Sequence, residues 1–322
     1  MNRRTFFRVL GAFPAAGWIP ALAQQRPKVV GVLLQGGAYR VGLDGLRQVL
    51  ETDAPRDSIR LLVRESGGDR DAIKKAAAEL EKDGADLLVT FSTTVSIAAK
   101  EVTQRIPIVF VAGSDPVEYR LVQSISHPGG RLTGVASFRT EITPKRFALL
   151  KEMIPGLKRV MTFHNPSSPD SVVAGLDHAR KAAAALGIDL LVREVHAPAE
   201  VRAALDGIVP GEADAFFFPN DSMILSESQT IIERATALRM STMAQYLGLV
   251  SDGALAGYGL DFRDEGRLAA KYVLRILGGT SPSELPVEVN ERHILGVNLR
   301  TARALGLTIP PTLLARADEV IE

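Results

Sequence analysis

Short apolar runs that end in polar residues are the part of this sequence best suited to chemistry. Ser92-Thr93-Thr94 follows one such run, Ser114-Asp115 follows a second, and Asn165 and Asn220-Asp221 follow two more. Hydroxyls and backbone N–H groups at the start of a helix suit a carboxylate. Asp221 suits an ammonium group, because it comes directly after a very apolar strand. The pattern therefore predicts the recognition of a small ligand by hydrogen bonds and charge.

The candidate ligand contacts share one position, since each lies near the carboxyl end of a predicted strand. Tyrosine rings close to the same edge would add flat apolar area. The full predicted set is Gly36, Gly37, Tyr39, Ser92, Thr93, Thr94, Ser114, Asp115, Asn165, Asp221, Gln245, Tyr246 and Tyr258. Helix capping alone would also explain Ser92 and Asp221. Asp115 precedes Pro116 and could equally form a turn.

Motifs that mark an enzyme or a cofactor site are missing from the sequence. Residues 35–38 lack the G-x-G-x-x-G spacing of a dinucleotide site, and there is neither a phosphate-binding loop nor a G-x-S-x-G elbow. The five histidines are scattered, and the absence of cysteine excludes thiolate metal sites and cysteine nucleophiles. We therefore expect no catalytic residues, no metal and no cofactor.

Two successive sets of alternating strands and helices would position the candidate residues. The strands of the first set are predicted at Lys28–Leu34, Ile59–Val63, Asp86–Phe91, Pro107–Ala112 and Thr133–Ala136. Those of the second are predicted at Arg159–His164, Leu190–Val195, Asp214–Pro219, Ser241–Ala244 and Ala254–Tyr258. Strands separated by helices indicate parallel pairing with right-handed crossovers. The expected fold class is α/β, with two Rossmann-like lobes, parallel central sheets and a ligand cleft between the lobes.

The ends of the chain carry their own signals. Residues 1–23 combine Arg3, Arg4 and Arg8 with a broken apolar run of about 15 residues, which is too short to span a membrane. The small residues around Ala23 predict cleavage there, and the paired arginines resemble a twin-arginine signal. An uncleaved amphipathic helix is the alternative. At the other end, the tail after Leu285-Pro286 is predicted to form a strand pair and a last helix.

The charge balance argues against nucleic acid as a partner. The full chain has 38 Lys and Arg against 37 Asp and Glu, whereas a nucleic-acid binder would carry a clear basic excess. Removal of the three arginines of the signal would leave a mature chain of net charge −2. We expect this mature protein to be periplasmic and not membrane-spanning.

Several segments spread along the chain form a recognisable set, namely residues 106–110, Ser114-Asp115-Pro116-Val117, His127-Pro128-Gly129-Gly130, residues 149–155, Gly253-Ala254-Leu255, Gly266-Arg267 and residues 305–319. Together these segments resemble the ABC_sub_bind (TrpX-like) family of ABC-transporter substrate-binding proteins. Where the family often has a Gly-Thr segment, this chain has Ser92-Thr93. The resemblance implies a type I periplasmic-binding-protein fold, in which two lobes joined by three crossings close on a small solute.

What the resemblance implies can be stated as boundaries, ligand and partners. The first lobe would comprise 26–140 and about 262–285, and the second 141–261 and about 286–322. The ligand would be an amino acid or a similar small solute, aromatic in some relatives. A membrane permease with its cytoplasmic ATPase would be the partner of a monomeric receptor. Two other functions stay open, namely an exported α/β enzyme using carboxylates such as Asp115 with Asp221, and a ligand sensor for a membrane signalling protein.

Overall fold

Two sheets organise the part of the chain that the computed structural model describes, which is residues 26–37, 39–137, 142–168 and 175–322. The first sheet has six strands in the order β11-β5-β4-β3-β1-β2, and all of its pairs are parallel. Its strands are β1 (Lys28–Leu34), β2 (Ile59–Glu65), β3 (Leu87–Phe91), β4 (Ile108–Ala112), β5 (Leu132–Ala136) and β11 (Glu288–Val289). The helices of this lobe are α1 (Tyr39–Asp53), α2 (Arg70–Lys82), α3 (Thr93–Val102) and α10 (Phe262–Leu277).

The second sheet has seven strands in the order β13-β12-β10-β9-β8-β6-β7. They are β6 (Arg159–His164), β7 (Asp189–Glu194), β8 (Ala215–Phe217), β9 (Ser241–Tyr246), β10 (Ala256–Leu260), β12 (Ile294–Asn298) and β13 (Glu319–Ile321). Its helices are α4 (Thr143–Met153), α5 (Leu176–Ala185), α6 (Pro198–Asp206), α7 (Ser222–Ser226), α8 (Ser228–Ala237), α9 (Gly248–Ser251), α11 (Leu299–Leu305) and α12 (Pro311–Leu314). Only the β10–β12 pair is antiparallel among the described strand pairs.

Burial explains why the inner strands read as continuous apolar runs. Every residue of β3, β4 and β5 is buried, because helices cover both faces of the sheet. The edge strands β2 and β7 keep charged residues and are only half-buried. At the amino ends of the strands, Asp86 accepts from Val29 N at 2.8 Å and Asp214 accepts from Arg159 N at 2.8 Å. In both lobes, therefore, an aspartate before one strand hydrogen-bonds the backbone of a neighbouring strand. The opposite edges, where the strands end, are left to the loops.

The predicted α/β fold with two parallel-dominated sheets is confirmed, and three details differ from the sequence-based expectation. Strand β11 pairs with β5 in the first sheet, although residues after about 285 had been expected in the second lobe. The last element is a strand, β13, and not a helix, because it pairs with β12 as an edge strand. Strand β9 continues to Tyr246, so Gln245 and Tyr246 end a strand and do not follow one.

Some predicted features lie outside the described residues. These are the export signal at 1–23, residues 138–141 of the first crossing between the lobes, and the predicted helix start at 171–174. Along the chain, β5 of the first sheet is followed by β6 of the second, β10 of the second by β11 of the first, and β11 by β12 of the second. No helix in this part of the chain is long and apolar enough to cross a membrane.

Candidate ligand-binding site

The carboxyl ends of the two sheets face each other across a cleft of about 480 Å³. The first lobe contributes Gln35 and Thr94, which follow β1 and β3. The second lobe contributes Asn165, Ser168 and Ser222, which follow β6 and β8. The cleft is therefore lined mainly by polar side chains, as expected where parallel strands of two α/β lobes end.

The start of helix α3 forms the wall of the first lobe. Ser92 caps this ten-residue helix, because its Oγ accepts from Val95 N at 3.2 Å. The hydroxyls of Thr93 and Thr94 are buried and have no hydrogen-bond partner in the described part of the chain. The first N–H groups of a helix also lack intrahelical acceptors and carry its positive dipole end. This wall can therefore hold a carboxylate.

Ser92 is one of four described non-glycine residues with a positive φ. Its φ of +98° is a conformation that glycine adopts freely and other residues rarely do. A second serine helps to hold it, because Ser96 Oγ donates to Ser92 O at 2.7 Å and lies 2.8 Å from Thr90 Oγ1. Strained residues held by their surroundings cluster at ligand sites. Of the two threonines that follow Ser92, Thr94 lines the cleft.

The loop after β4 plays a more local part. Asp115 Oδ1 accepts from Val117 N at 2.8 Å and from Glu118 N at 3.3 Å, so this carboxylate holds a turn. Ser114 is buried and has an interaction partner. The turn-forming role considered for Asp115 thus has direct geometric support. The geometry gives no support for a ligand contact by the Asp115 carboxylate, which is engaged in the turn.

Asp221 directly precedes the cleft-lining residue Ser222, and it is 1% exposed. Its Oδ1 caps α7 by accepting from Ile224 N at 2.8 Å, while Oδ2 has no hydrogen-bond partner among the described residues. Burial raises the pKa of this carboxyl, and the hydrogen bond from the Ile224 N–H offsets the rise only in part. A buried carboxylate with an open acceptor is suited to a cationic group.

Gln245 and Tyr246 end strand β9, and each is 1% exposed. Both amide atoms of Gln245 and the hydroxyl of Tyr246 lack partners in the described residues. The Tyr246 ring stacks on Phe262 at 4.3 Å between centroids, and Phe262 stacks on Tyr39 at 5.2 Å. Tyr39 and Tyr246 are therefore joined through Phe262 into one aromatic stack that spans α1, α10 and β9.

Tyr258 lies apart from that stack. It is half-buried within β10, and its ring stacks on His293 at 5.8 Å. Its apolar neighbours belong to the cluster around Phe147 and Phe217, whereas Tyr39 and Tyr246 belong to the other large cluster of the core. The three predicted tyrosines are thus not brought together around one ligand space.

The two predicted glycines lie in the turn between β1 and α1. Gly36 has a φ of +100° and Gly37 a φ of +55°, both in the range that favours glycine. A Cβ on Gly37 would lie 3.2 Å from Ser226 Cα and 3.4 Å from Leu225 O, which belong to helix α7 of the second lobe. Gly37 therefore permits a close approach between the lobes.

Sequence reasoning missed one buried cation under the site. Arg146 is 1% exposed, and its Nη2 donates to Phe218 O at 2.6 Å and to Met243 O at 3.3 Å. Its guanidinium carbon also lies 4.1 Å from the centre of the Phe217 ring. Burial lowers its pKa to about 9. Arg146 thus joins Phe218, which directly follows β8, to Met243 within β9. A lone arginine near the start of a helix gives no sequence signal for this role.

Gln35, Ser168 and Ser222 were also not selected, although they lie in the loops that sequence analysis singled out. Each is buried and polar, and Gln35 Oε1 and Ser168 Oγ have no partner among the described residues. The first residue after a buried strand and the first residue after a helix cap are the signals that could have found Gln35 and Ser222. No group of three or more metal-ligating side chains occurs in the described ranges.

Two α/β lobes with unpartnered polar groups on opposed strand ends define a two-lobed binding protein of the type I periplasmic class. The family model for ABC transporter substrate binding proteins matches residues 29–321. The chain therefore belongs to this family of solute-binding receptors.

Individual relatives agree with this assignment. A tyrosine-binding protein of Clostridioides difficile is 28% identical over 251 residues, covering 78% of this chain and 72% of that protein. A conserved domain protein of Vibrio cholerae has a TM-score of 0.82 and 27% identity, covering 92% of this chain and 100% of its own. A Streptococcus pneumonia structure in complex with L-Trp has a TM-score of 0.81 and 24% identity, with the same coverage.

The lobes are in a closed arrangement. Gln35 Nε2 donates to Ser222 Oγ at 2.5 Å, and Asn220 Nδ2 donates to Gly113 O at 3.5 Å, so hydrogen bonds cross the cleft. A ligand-free, open substrate-binding protein of Clostridium difficile, 26% identical, superimposes with a TM-score of only 0.60 over 91% of this chain and 99% of its own.

Proposed function

We propose that this protein is an extracytoplasmic receptor that captures a free α-amino acid between its lobes and delivers it to an ABC permease. The observation that carries the proposal is the pairing of the two walls. Unpartnered hydroxyls at the start of α3 face the carboxylate of the ligand, and the open oxygen of Asp221 faces its ammonium group. The 28% identity to a tyrosine-binding protein supports an amino acid as the ligand.

Binding uses the polar groups that have no hydrogen-bond partner among the described residues when the lobes are closed. The α3 start holds the carboxylate through hydroxyls and N–H groups, while Asp221 supplies a charge that the protein itself does not neutralise. Each wall belongs to a different lobe, so the ligand contacts both only when the cleft is closed. The ligand therefore shifts the population towards the closed state by its extra contacts.

The remaining parts of the proposal concern location and catalysis. The export signal at 1–23, a periplasmic location and a non-catalytic role fit a receptor for a permease and its ATPase. Asp115 is engaged in a turn, which leaves the suggested Asp115–Asp221 carboxylate pair without support. Incubation with the bound amino acid, followed by mass spectrometry, tests catalysis, and recovery of the unchanged compound is expected.

A panel of free amino acids tests the ligand class. Thermal shift with the twenty L-amino acids should identify at least one that raises Tm, because a ligand of the folded state stabilises it by mass action. Calorimetry with that amino acid, its amide and its des-amino analogue should give weaker binding for both analogues, since each lacks one charged group. Equal affinity for all three compounds would contradict recognition of both charges.

Gly37 should control closure on the ligand. Alanine at this position would place a methyl group against the backbone of α7, so we expect affinity to fall on the order of five- to tenfold. The left-handed φ also costs stability, and Gly187→Ala is the matched control, because its φ of +64° is similar and its added Cβ meets no atom within 4 Å. Both variants should lose stability, whereas only Gly37→Ala should lose calorimetric affinity.

A further inference from the structure

Gln35 is the side chain through which the first lobe contacts the second most directly. It follows β1, is 2% exposed, and donates from Nε2 to Ser222 Oγ at 2.5 Å across the cleft. The two residues are 187 positions apart in the chain and belong to different lobes. The bond therefore exists only while the lobes are together. Ser222 is the first residue of α7, directly after the cap residue Asp221.

The other end of the Gln35 amide is unused. Its Oε1 is buried and has no hydrogen-bond partner among the described residues. A buried acceptor without a donor is costly, and such groups usually meet a ligand or an ordered water. Gln35 lines the same cleft as Thr94, Ser168 and Ser222, so its open acceptor belongs to the candidate ligand site.

Helix α7 is the surface on which the loops of the first lobe close. The β1–α1 loop reaches it at Gly37, and the β2–α2 loop reaches it at Gly68, where an added Cβ would lie 3.1 Å from Met223. The same helix is capped by Asp221, the residue proposed to bind the ammonium group. The residue proposed to bind the ligand ammonium is therefore the cap of the same five-residue helix that contacts the loops of the first lobe.

We infer that Gln35 joins ligand recognition to lobe closure, with its Nε2 holding α7 through Ser222 and its Oε1 accepting a hydrogen bond from the ligand ammonium. This inference rests on the proposed function for the nature of the ligand, while the contact between the lobes is independent of it. The bond to Ser222 raises the closed fraction, and the observed dissociation constant is inversely proportional to that fraction. Gln35 thereby contributes to affinity for every ligand and to selectivity for amines.

Lobe closure can be measured without any ligand. The chain has no cysteine, so cysteines introduced at the exposed positions Lys75 on α2 and Ala203 on α6 give one spin-label pair across the cleft. Pulsed-EPR distances should show a smaller closed population in Ser222→Ala and Gln35→Leu than in the unsubstituted protein. A change of about fivefold in the closed-to-open ratio is expected for one hydrogen bond. Identical distance distributions in all three proteins would overturn the inference.

Ligand selectivity separates the two ends of the amide. With L-tyrosine as the probe, Ser222→Ala should weaken binding about fivefold, and it should weaken binding of the des-amino analogue, 3-(4-hydroxyphenyl)propionate, by the same factor. Gln35→Leu should lose more for L-tyrosine than for the analogue, because only L-tyrosine has an ammonium group. Equal losses for both compounds in Gln35→Leu would overturn the role of Oε1.

The controls keep folding and function apart. Thr133→Val removes a buried hydroxyl that donates to Leu285 O at 2.6 Å within the first lobe, so it should lower Tm and leave both closure and affinity unchanged. Gln35→Glu keeps an acceptor at each side-chain oxygen and should remain closed, since the Ser222 hydroxyl can donate to it. If Gln35→Leu does not fold, Ser222→Ala and Gln35→Glu still decide. Absence of amino-acid binding by the unsubstituted protein would contradict the proposed function. The ligand-free distances would still test whether the Gln35–Ser222 hydrogen bond holds the lobes closed.

Discussion

Asp221→Asn is expected to weaken binding of an amino acid at least about tenfold while leaving the free protein as stable as before, or more so. Removal of one partner from a buried charge pair typically costs about 2–5 kcal/mol of binding free energy. Asparagine has nearly the same shape and is an equally good helix cap, so the bond to Ile224 N can persist. The free protein meanwhile no longer buries a carboxylate that lacks a counter-charge.

Comparison of Asp221→Ala with Asp221→Asn separates the effect of the helix cap from the effect of the charge. Alanine removes both, so affinity should fall by a similar factor, and stability should drop by about 1 kcal/mol through loss of the cap. The matched control is Asp115→Asn, because Asp115 also follows a strand but uses its carboxylate in a turn. Calorimetric affinity should be nearly unchanged in this control. An affinity in Asp221→Asn equal to that of the unsubstituted protein would rule out the ammonium contact.

The same carboxyl predicts a pH dependence with a definite sign. Burial raises the pKa of Asp221 in the free folded protein above its ordinary value. Between those two values the folded state holds a proton that the unfolded state has released, so this group makes stability fall as pH rises through that window. Binding of an ammonium requires the ionised form, so affinity should fall as pH drops through the raised pKa. Calorimetry across acidic pH should show this loss, and Asp221→Asn should not.

The strand ends were predictable from sequence because they follow a simple physical rule. In a parallel sheet covered by helices, buried strands are apolar throughout, so the first few polar residues after each run mark the ligand-facing edge. Thr93, Thr94 and Asp221 follow their runs in this way, and each has an oxygen without a hydrogen-bond partner in the part of the chain that the structure describes. Whether they contact the ligand stays a prediction, but their shared edge was accessible from residue order alone.

The contacts between the lobes were not predictable in the same way. The bond from Gln35 to Ser222 joins two loops that are distant in sequence, and no local pattern states which loops will meet. Arg146 was missed for a related reason, since its acceptors are backbone carbonyls of β8 and β9, which leave no trace in residue type. A ligand role for the tyrosines stays a prediction, because a large buried ring such as Tyr246 packs in the core as readily as it contacts a ligand.

Gly266→Ala is expected to destabilise the protein by about 1–3 kcal/mol, because it forces two helices apart. Helix α10 crosses α1 so closely that a Cβ on Gly266 would lie 1.9 Å from Gly42 O and 2.9 Å from Leu46 N. A Cβ on Gly45 would likewise lie 2.0 Å from Arg263 O. These neighbours are backbone atoms, so no side-chain rotation can relieve the overlap. The helix propensity of alanine offsets at most about 1 kcal/mol of the cost.

The crossing also supports the ligand site, so the effect should extend to binding. Tyr39 begins α1 directly after the Gln35–Gly37 loop, and Phe262 begins α10 directly after a crossing between the lobes. Separation of the helices would pull apart the Tyr39–Phe262 stack and displace that loop from α7. We therefore expect Gly266→Ala to lower both the unfolding free energy in urea and the calorimetric affinity. Gly156→Ala is the control, because no atom lies within 4 Å of its added Cβ, and it should change neither quantity. If Gly266→Ala were as stable as Gly156→Ala, the close helix crossing could not be what holds the loop in place.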